Sequence, residues 1–183
     1  MKWFPSRKPK TERRESELHE AYLAAVTQHK GIIYKVARVY CPRLEDREDL
    51  IQEILIQLWR AFERYNSNFK LSTWMYRIAL NVAISWYRKD KTAKYEHVDL
   101  NESLFKIDDE NAPQESHDIQ QLYEFIYRLA PLDKALMLLY LEGESHAAIA
   151  ESLEISKSNV ATKIGRIKQK LKHEFESSER VSR

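Results

Sequence analysis

The stretch that decides the fold is Ser145-His-Ala-Ala-Ile-Ala-Glu-Ser-Leu153, Glu154-Ile155, and Ser156-Lys-Ser-Asn-Val-Ala-Thr-Lys-Ile-Gly-Arg-Ile-Lys-Gln-Lys-Leu-Lys172. It reads as two short helices broken by a tight turn. Ser145 suits an N-cap, and Ile149 and Leu153 lie one turn apart. Ser156 suits a second cap. Behind it Val160, Ile164, Ile167 and Leu171 keep to one face through steps of four and three. The remaining faces carry Lys157, Lys163, Arg166, Lys168, Lys170 and Lys172, with no acidic residue before Glu174. Cap, turn, second cap and basic amphipathic helix in that order predict a helix-turn-helix, whose second helix enters a DNA major groove.

Working outward, the whole chain has the same character. Only 3 of 183 residues are glycine, and apolar residues recur at helical rather than alternating spacing. The expected fold class is all-α, in two small helical domains joined by a flexible linker. Net charge is only +2, so total charge does not announce nucleic acid. The charge is segregated instead: residues 1–14 are basic, 96–118 acidic, and the last forty or so basic again. Separate segments then serve separate partners. A single cysteine, Cys41, excludes an internal disulfide, and no Cys/His spacing suits zinc. Asp108-Asp109-Glu110 reads as a solvated acidic run, not a metal site. No stretch approaches the ~20 apolar residues of a membrane span. The expectation is a cytoplasmic protein, neither inserted in a membrane nor dependent on a metal or other cofactor.

The expected boundaries are a basic tail over 1–14, a first domain over 15–90, an acidic linker over 91–116 and a second domain over 117–176. In the first domain, Leu18 to His29 predicts one helix ending near Gly31, and Ile32 to Tyr40 another, stopped by Pro42. Asp46–Tyr65 predicts a long third helix, and Ser72 caps a fourth reaching about Lys89. In the second, Pro131 separates a helix carrying Ile119, Leu122, Ile126 and Leu129 from the apolar run Ala135 to Leu139. Within the third helix, Asp49, Gln52, Glu53, Ile56 and Gln57 share one side while Leu50, Ile54 and Leu58 turn inward.

These residues carry a resemblance. Asp49-Leu-Ile-Gln-Glu-Ile-Leu-Ile-Gln-Leu-Trp-Arg-Ala-Phe62 resembles the core-binding helix of bacterial extracytoplasmic-function (ECF) sigma factors. Ser72-Thr-Trp-Met-Tyr-Arg-Ile-Ala-Leu-Asn-Val-Ala-Ile-Ser-Trp-Tyr-Arg-Lys89 resembles their helix that opens the minus-ten promoter element. Pro131 to Leu171 is similar to their domain for the minus-thirty-five element. The resemblance spans about Glu17 to Phe175. It implies a protein that is not an enzyme, with core RNA polymerase and promoter DNA as partners. An anti-sigma factor, commonly membrane-anchored in the family, is a further expected partner.

The resemblance also assigns residues. Asp49, Gln52 and Glu53, with Ile56 and Gln57 on the same side, meet the clamp helices of the polymerase. Opening a duplex needs a pocket for a flipped base and cations for the strand. The resemblance gives this work to the loop and helix holding Asn68, Phe69, Lys70, Trp74, Arg77, Asn81, Arg88 and Lys89, with Asn81 in the pocket. Trp74 and Trp86 also recur at core spacing with Ile78 and Val82. For the minus-thirty-five element the candidates are Lys157, Ser158, Thr162, Lys163, Arg166 and Gln169. Arg166 can grip a guanine bidentately. The chain departs from the family at Ala161, where Lys or Arg is common, at Gly165, which replaces a bulkier residue, and at Glu154, where the turn usually has glycine. The competing expectation is a dimeric helix-turn-helix regulator that works without core polymerase and pairs two half-sites.

Overall fold

Helix α1 runs from Lys10 to Tyr40 and turns at His29, whose backbone leaves helical geometry (φ −116°, ψ 16°). The two helices expected around Gly31 are present and meet at this kink, two residues before the glycine. Gly31 stands in open space, so it weakens the helix without breaking it. The computed structural model describes residues 10–41, 43–67, 70–90 and 117–181. Residues 10–14, expected in the tail, are helical; the rest of that tail, Asn68, Phe69 and the linker 91–116 lie outside the described residues.

Helix α2 spans Leu44–Phe62 and α3 Leu71–Asp90. Arg47 fixes the α1–α2 corner, its Nε donating to the Cys41 carbonyl at 3.1 Å. Cys41, a buried thiol outside any disulfide, follows the end of α1. Leu50, Ile54 and Leu58 of α2 face inward as their spacing requires, against Ile33, Val36, Ala37, Leu80 and Ala83. Tyr22 ties the bundle from the side, its hydroxyl donating to the Leu55 carbonyl at 2.8 Å. Ser72 is not the cap of α3. The helix starts at Leu71, and the Trp74 amide bonds the Lys70 carbonyl, which moves the boundary residue to Lys70.

The second half comprises α4 (His117–Arg128), α5 (Pro131–Leu141), α6 (His146–Leu153) and α7 (Lys157–Val181). Pro131 opens α5 at its first position, where a missing N–H costs nothing. Val160, Ile164 and Ile167 of α7 are buried, as their spacing predicts. All described elements are helices, in agreement with the all-α expectation. The halves also touch. Helices α1 and α3 pack on α4, α5 and α6, and the buried side chains of both halves form one continuous cluster.

Candidate nucleic-acid and partner interfaces

On α2, Asp49 and Gln52 are exposed, Glu53 and Gln57 half-buried. Ile56 stands 44% exposed between them. Gln57 donates to Glu53 at 2.7 Å, which orients both side chains one turn apart. This stripe borders an open groove of about 740 Å³ between α2 and α3. Glu53 and Gln57 line one wall; Asn81, Val82, Trp86 and Lys89 line the other. Two residue sets separated in the sequence therefore meet along one surface. Amides, a carboxylate and an ammonium rim an apolar floor, a lining that suits an inserted group with a flat apolar face and polar edges.

Along α3 the candidates divide. Trp74 is half-buried, its ring 5.0 Å from Tyr65 and 6.1 Å from Phe62, so its bulk belongs to packing. Asn81, Lys70, Arg88 and Lys89 are exposed. Arg88 and Lys89 end the helix, where cations also complement its dipole. Arg77 is held by Glu154 of the second half at 2.9 Å. Thr73, one turn earlier, donates to Glu144 at 2.8 Å.

The helix-turn-helix forms as read. Ser145 accepts from the Ala148 amide at 3.2 Å, and Ser156 from the Asn159 amide at 3.2 Å. Glu154 takes the left-handed conformation of the turn (φ 55°, ψ 41°). Glycine would be less strained there, but the Ile155 amide closes the turn on the Ala150 carbonyl. Lys157, Ser158, Thr162, Arg166 and Gln169 are exposed. Thr162 gives its hydroxyl proton to the Ser158 carbonyl, so what it offers outward is an acceptor. Lys163 is different: it is half-buried and paired with Asp133 of α5 at 2.8 Å, a contact inside the domain. Arg166 and Gln169 border a second groove of about 600 Å³ with Phe125, Arg128 and Leu129 of α4.

The sequence reading passed over Lys134. It is 1% exposed, with its ammonium facing the rings of Tyr40, Tyr87 and Tyr127. The available signal was its place beside Ala135 to Leu139, a run apolar on every face, which leaves no solvent side for its neighbour. Arg38 was passed over likewise; it is buried beneath the ring of Tyr123. Burial pushes the phenols of Tyr40, Tyr76 and Tyr127 up, and at Tyr76 the nearby Glu142 carboxylate adds to the effect.

Comparison with known proteins agrees with this geometry. Residues 25–92 match the family Sigma-70 region 2, and residues 119–171 match Sigma-70, region 4. The first match takes in most of α1 with α2 and α3, the second the helix-turn-helix half. Among curated relatives, the ECF RNA polymerase sigma factor SigW of Bacillus subtilis is 28% identical over 170 residues, 85% of this chain and 89% of SigW. SigX of the same organism is 27% identical over 124 residues, 63% of each chain, so the match spans a little under two thirds of SigX. Among solved structures, the sigma factor RpoE from Bartonella quintana, in complex with the anti-sigma factor NepR, superposes with a TM-score of 0.63. That pair is 17% identical, and the likeness covers 86% of this chain and 95% of RpoE. Two sigma regions in series, together with the curated ECF relatives, identify the chain as a member of the ECF sigma factors of RNA polymerase.

Proposed function

We propose that the protein directs core RNA polymerase to specific promoters and helps open the duplex. The observation that carries this is the α2–α3 groove, where Glu53 and Gln57 of the stripe assigned to polymerase meet Asn81 and Lys89 of the helix assigned to melting. A factor that opens DNA on the polymerase needs those two surfaces side by side. Asp49, Gln52, Glu53, Ile56 and Gln57 bind the polymerase clamp, an acidic stripe with an apolar centre. Asn81, with Lys70, Arg77, Arg88 and Lys89, receives and holds the minus-ten strand. Asn68 and Phe69 belong to the same role on sequence grounds. Lys157, Ser158, Thr162, Arg166 and Gln169 read or anchor the minus-thirty-five element. The labour divides between residues 15–90 and 117–176.

In this reading the protein is not an enzyme, since the polymerase supplies the nucleotide chemistry, and it works in the cytoplasm. An anti-sigma factor is a further partner; the complex of RpoE with NepR supports that by analogy. No described helix is long and apolar enough to cross a membrane. Run-off transcription with purified core polymerase, on the promoter of the protein's own operon, tests the proposal. A defined transcript only when both are present is the expected result. DNA binding as a dimer, unaffected by polymerase and giving no transcript, would establish the helix-turn-helix regulator instead.

A further inference from the structure

Gly165 lies inside α7, where a glycine costs helix stability relative to alanine. Nothing within the fold calls for it. The residue is exposed and helical, and a Cβ built there would meet nothing within 4 Å. What a missing side chain does provide is close approach of the backbone to a group outside the chain. Its place on the helix narrows what that group is. Ser158, Thr162, Gly165 and Gln169 form one line along α7, opposite the buried Val160, Ile164 and Ile167. A helical side chain leans toward the N-terminus, over the residues three and four positions before it. For position 165 those are Thr162 and Ala161, so the glycine leaves both uncovered.

Both of these residues are exposed. The Thr162 hydroxyl donates to the Ser158 carbonyl at 2.9 Å, which fixes the rotamer and with it the direction of the methyl. The cation of this turn, Lys163, is tied to Asp133 at 2.8 Å. Residues 161–165 therefore present two methyls and bare backbone outward, and Arg166 and Gln169 follow at once with their hydrogen-bonding groups. On a duplex, phosphates are charged and base edges carry donors and acceptors. The apolar group of the major groove is the C5 methyl of thymine, and alanine and the threonine methyl are among the side chains that contact it.

We infer that α7 reads thymine methyls in the minus-thirty-five element through Ala161 and Thr162, with Gly165 as the point where the helix backbone comes closest to the base edges. The inference rests on the minus-thirty-five role proposed for α7 and adds a specificity to it: an A·T pair beside the base gripped by Arg166. Ala161 and Gly165 are positions at which the chain departs from its family, so the preference belongs to this chain. Burying one methyl changes an affinity by about three- to fivefold.

The test begins with the wild type and core polymerase transcribing a library of varied minus-thirty-five elements, which yields the preferred element. Each thymine of that element is then replaced by uracil, which removes the methyl and keeps the pairing and every hydrogen-bonding group. Binding of these duplexes by core polymerase carrying the wild type, Thr162→Ser or Gly165→Leu is measured at fixed salt. For the wild type, uracil at one or two positions should weaken binding by about three- to fivefold each. Thr162→Ser keeps the hydroxyl and drops the methyl, so it should lose the uracil effect at one of them. Gly165→Leu covers both methyls. It should bind the thymine element about tenfold more weakly or worse and cease to distinguish uracil, with a thermal midpoint no lower than that of the wild type. A preferred element without an A·T pair, or wild-type binding that ignores every uracil, overturns the inference and leaves minus-thirty-five reading intact. Equal uracil effects in Gly165→Leu and the wild type overturn the role of Gly165. If Gly165→Leu folds poorly, Thr162→Ser decides, and an undiminished uracil effect there overturns the methyl contact. A library without any preferred element removes the minus-thirty-five role itself, and this inference with it.

Discussion

Asn81 and Arg166 are both exposed polar side chains on helices assigned to DNA, yet the chemistry expected of each differs. Asn81 opens onto an apolar-floored groove, where an amide is useful only once a base has left the stack. Asn81→Ala should therefore impair promoter opening more than closed-complex binding. Permanganate footprinting of the melted strand beside a binding assay separates the two, and equal losses would make Asn81 structural. Arg166 carries a planar fork on an exposed face, so Arg166→Ala should lose about 1–3 kcal/mol against the preferred base and little elsewhere. A promoter library with varied minus-thirty-five elements, transcribed at fixed salt, reads this directly. A uniform drop with unchanged ranking would make it a phosphate contact. Lys163 looked equivalent in the sequence, but its ion pair with Asp133 gives it a role in holding α7 on α5. Nothing local to Lys163 reveals that, because Asp133 is thirty residues away.

At the level of elements, what could be read was what local chemistry decides. The two serine caps and the turn at Glu154 need only neighbouring residues, and they formed as expected even without glycine at the turn. The break in α1 fell at His29, beside the Gly31 that marked it in the sequence, and Ile32, Ile33 and Val36 beyond it are buried as their spacing required. The start of α3 was displaced because a backbone bond from Trp74 to Lys70 replaced the serine cap. Helix α7 carries one local defect: Gly165 is exposed, and an alanine methyl at that position would meet nothing within 4 Å. Gly165→Ala should stabilise the protein by about 1 kcal/mol, visible as a thermal midpoint a few degrees higher. No gain would mean that the helix is already limited elsewhere. For α2 the surface matters more than the helix. Reversing charge at Asp49 and Glu53 should leave circular dichroism unchanged and weaken capture of core polymerase at moderate salt. Undiminished capture by the folded double variant would remove that face from the polymerase interface.

For the whole molecule, the seam between the halves was not legible, because it joins residues about a hundred positions apart and each looks ordinary alone. Its signature is buried phenols. The Tyr40 hydroxyl donates to the Pro131 carbonyl across the seam, whereas the buried Tyr76 hydroxyl makes no well-formed hydrogen bond. Both have their ionisation pushed up from 10.0, chiefly by burial. The folded protein thus holds these protons more tightly than the unfolded chain does. The associated stability is fully present below the unfolded value near 10 and is lost as pH rises from there toward the folded value. Denaturation should accordingly require less urea above about pH 10 than at neutrality. Two substitutions separate the phenols. Tyr40→Phe removes a made hydrogen bond and should cost about 1 kcal/mol at neutral pH. Tyr76→Phe removes a buried hydroxyl that lacks a good partner and should be neutral or stabilising there. Each removes one ionisation that favours the unfolded chain, so each should flatten the alkaline loss. Urea titrations of the three proteins at neutral and alkaline pH give the answer. An alkaline loss as steep in Tyr40→Phe and Tyr76→Phe as in the wild type would show that the phenols of the seam do not govern it.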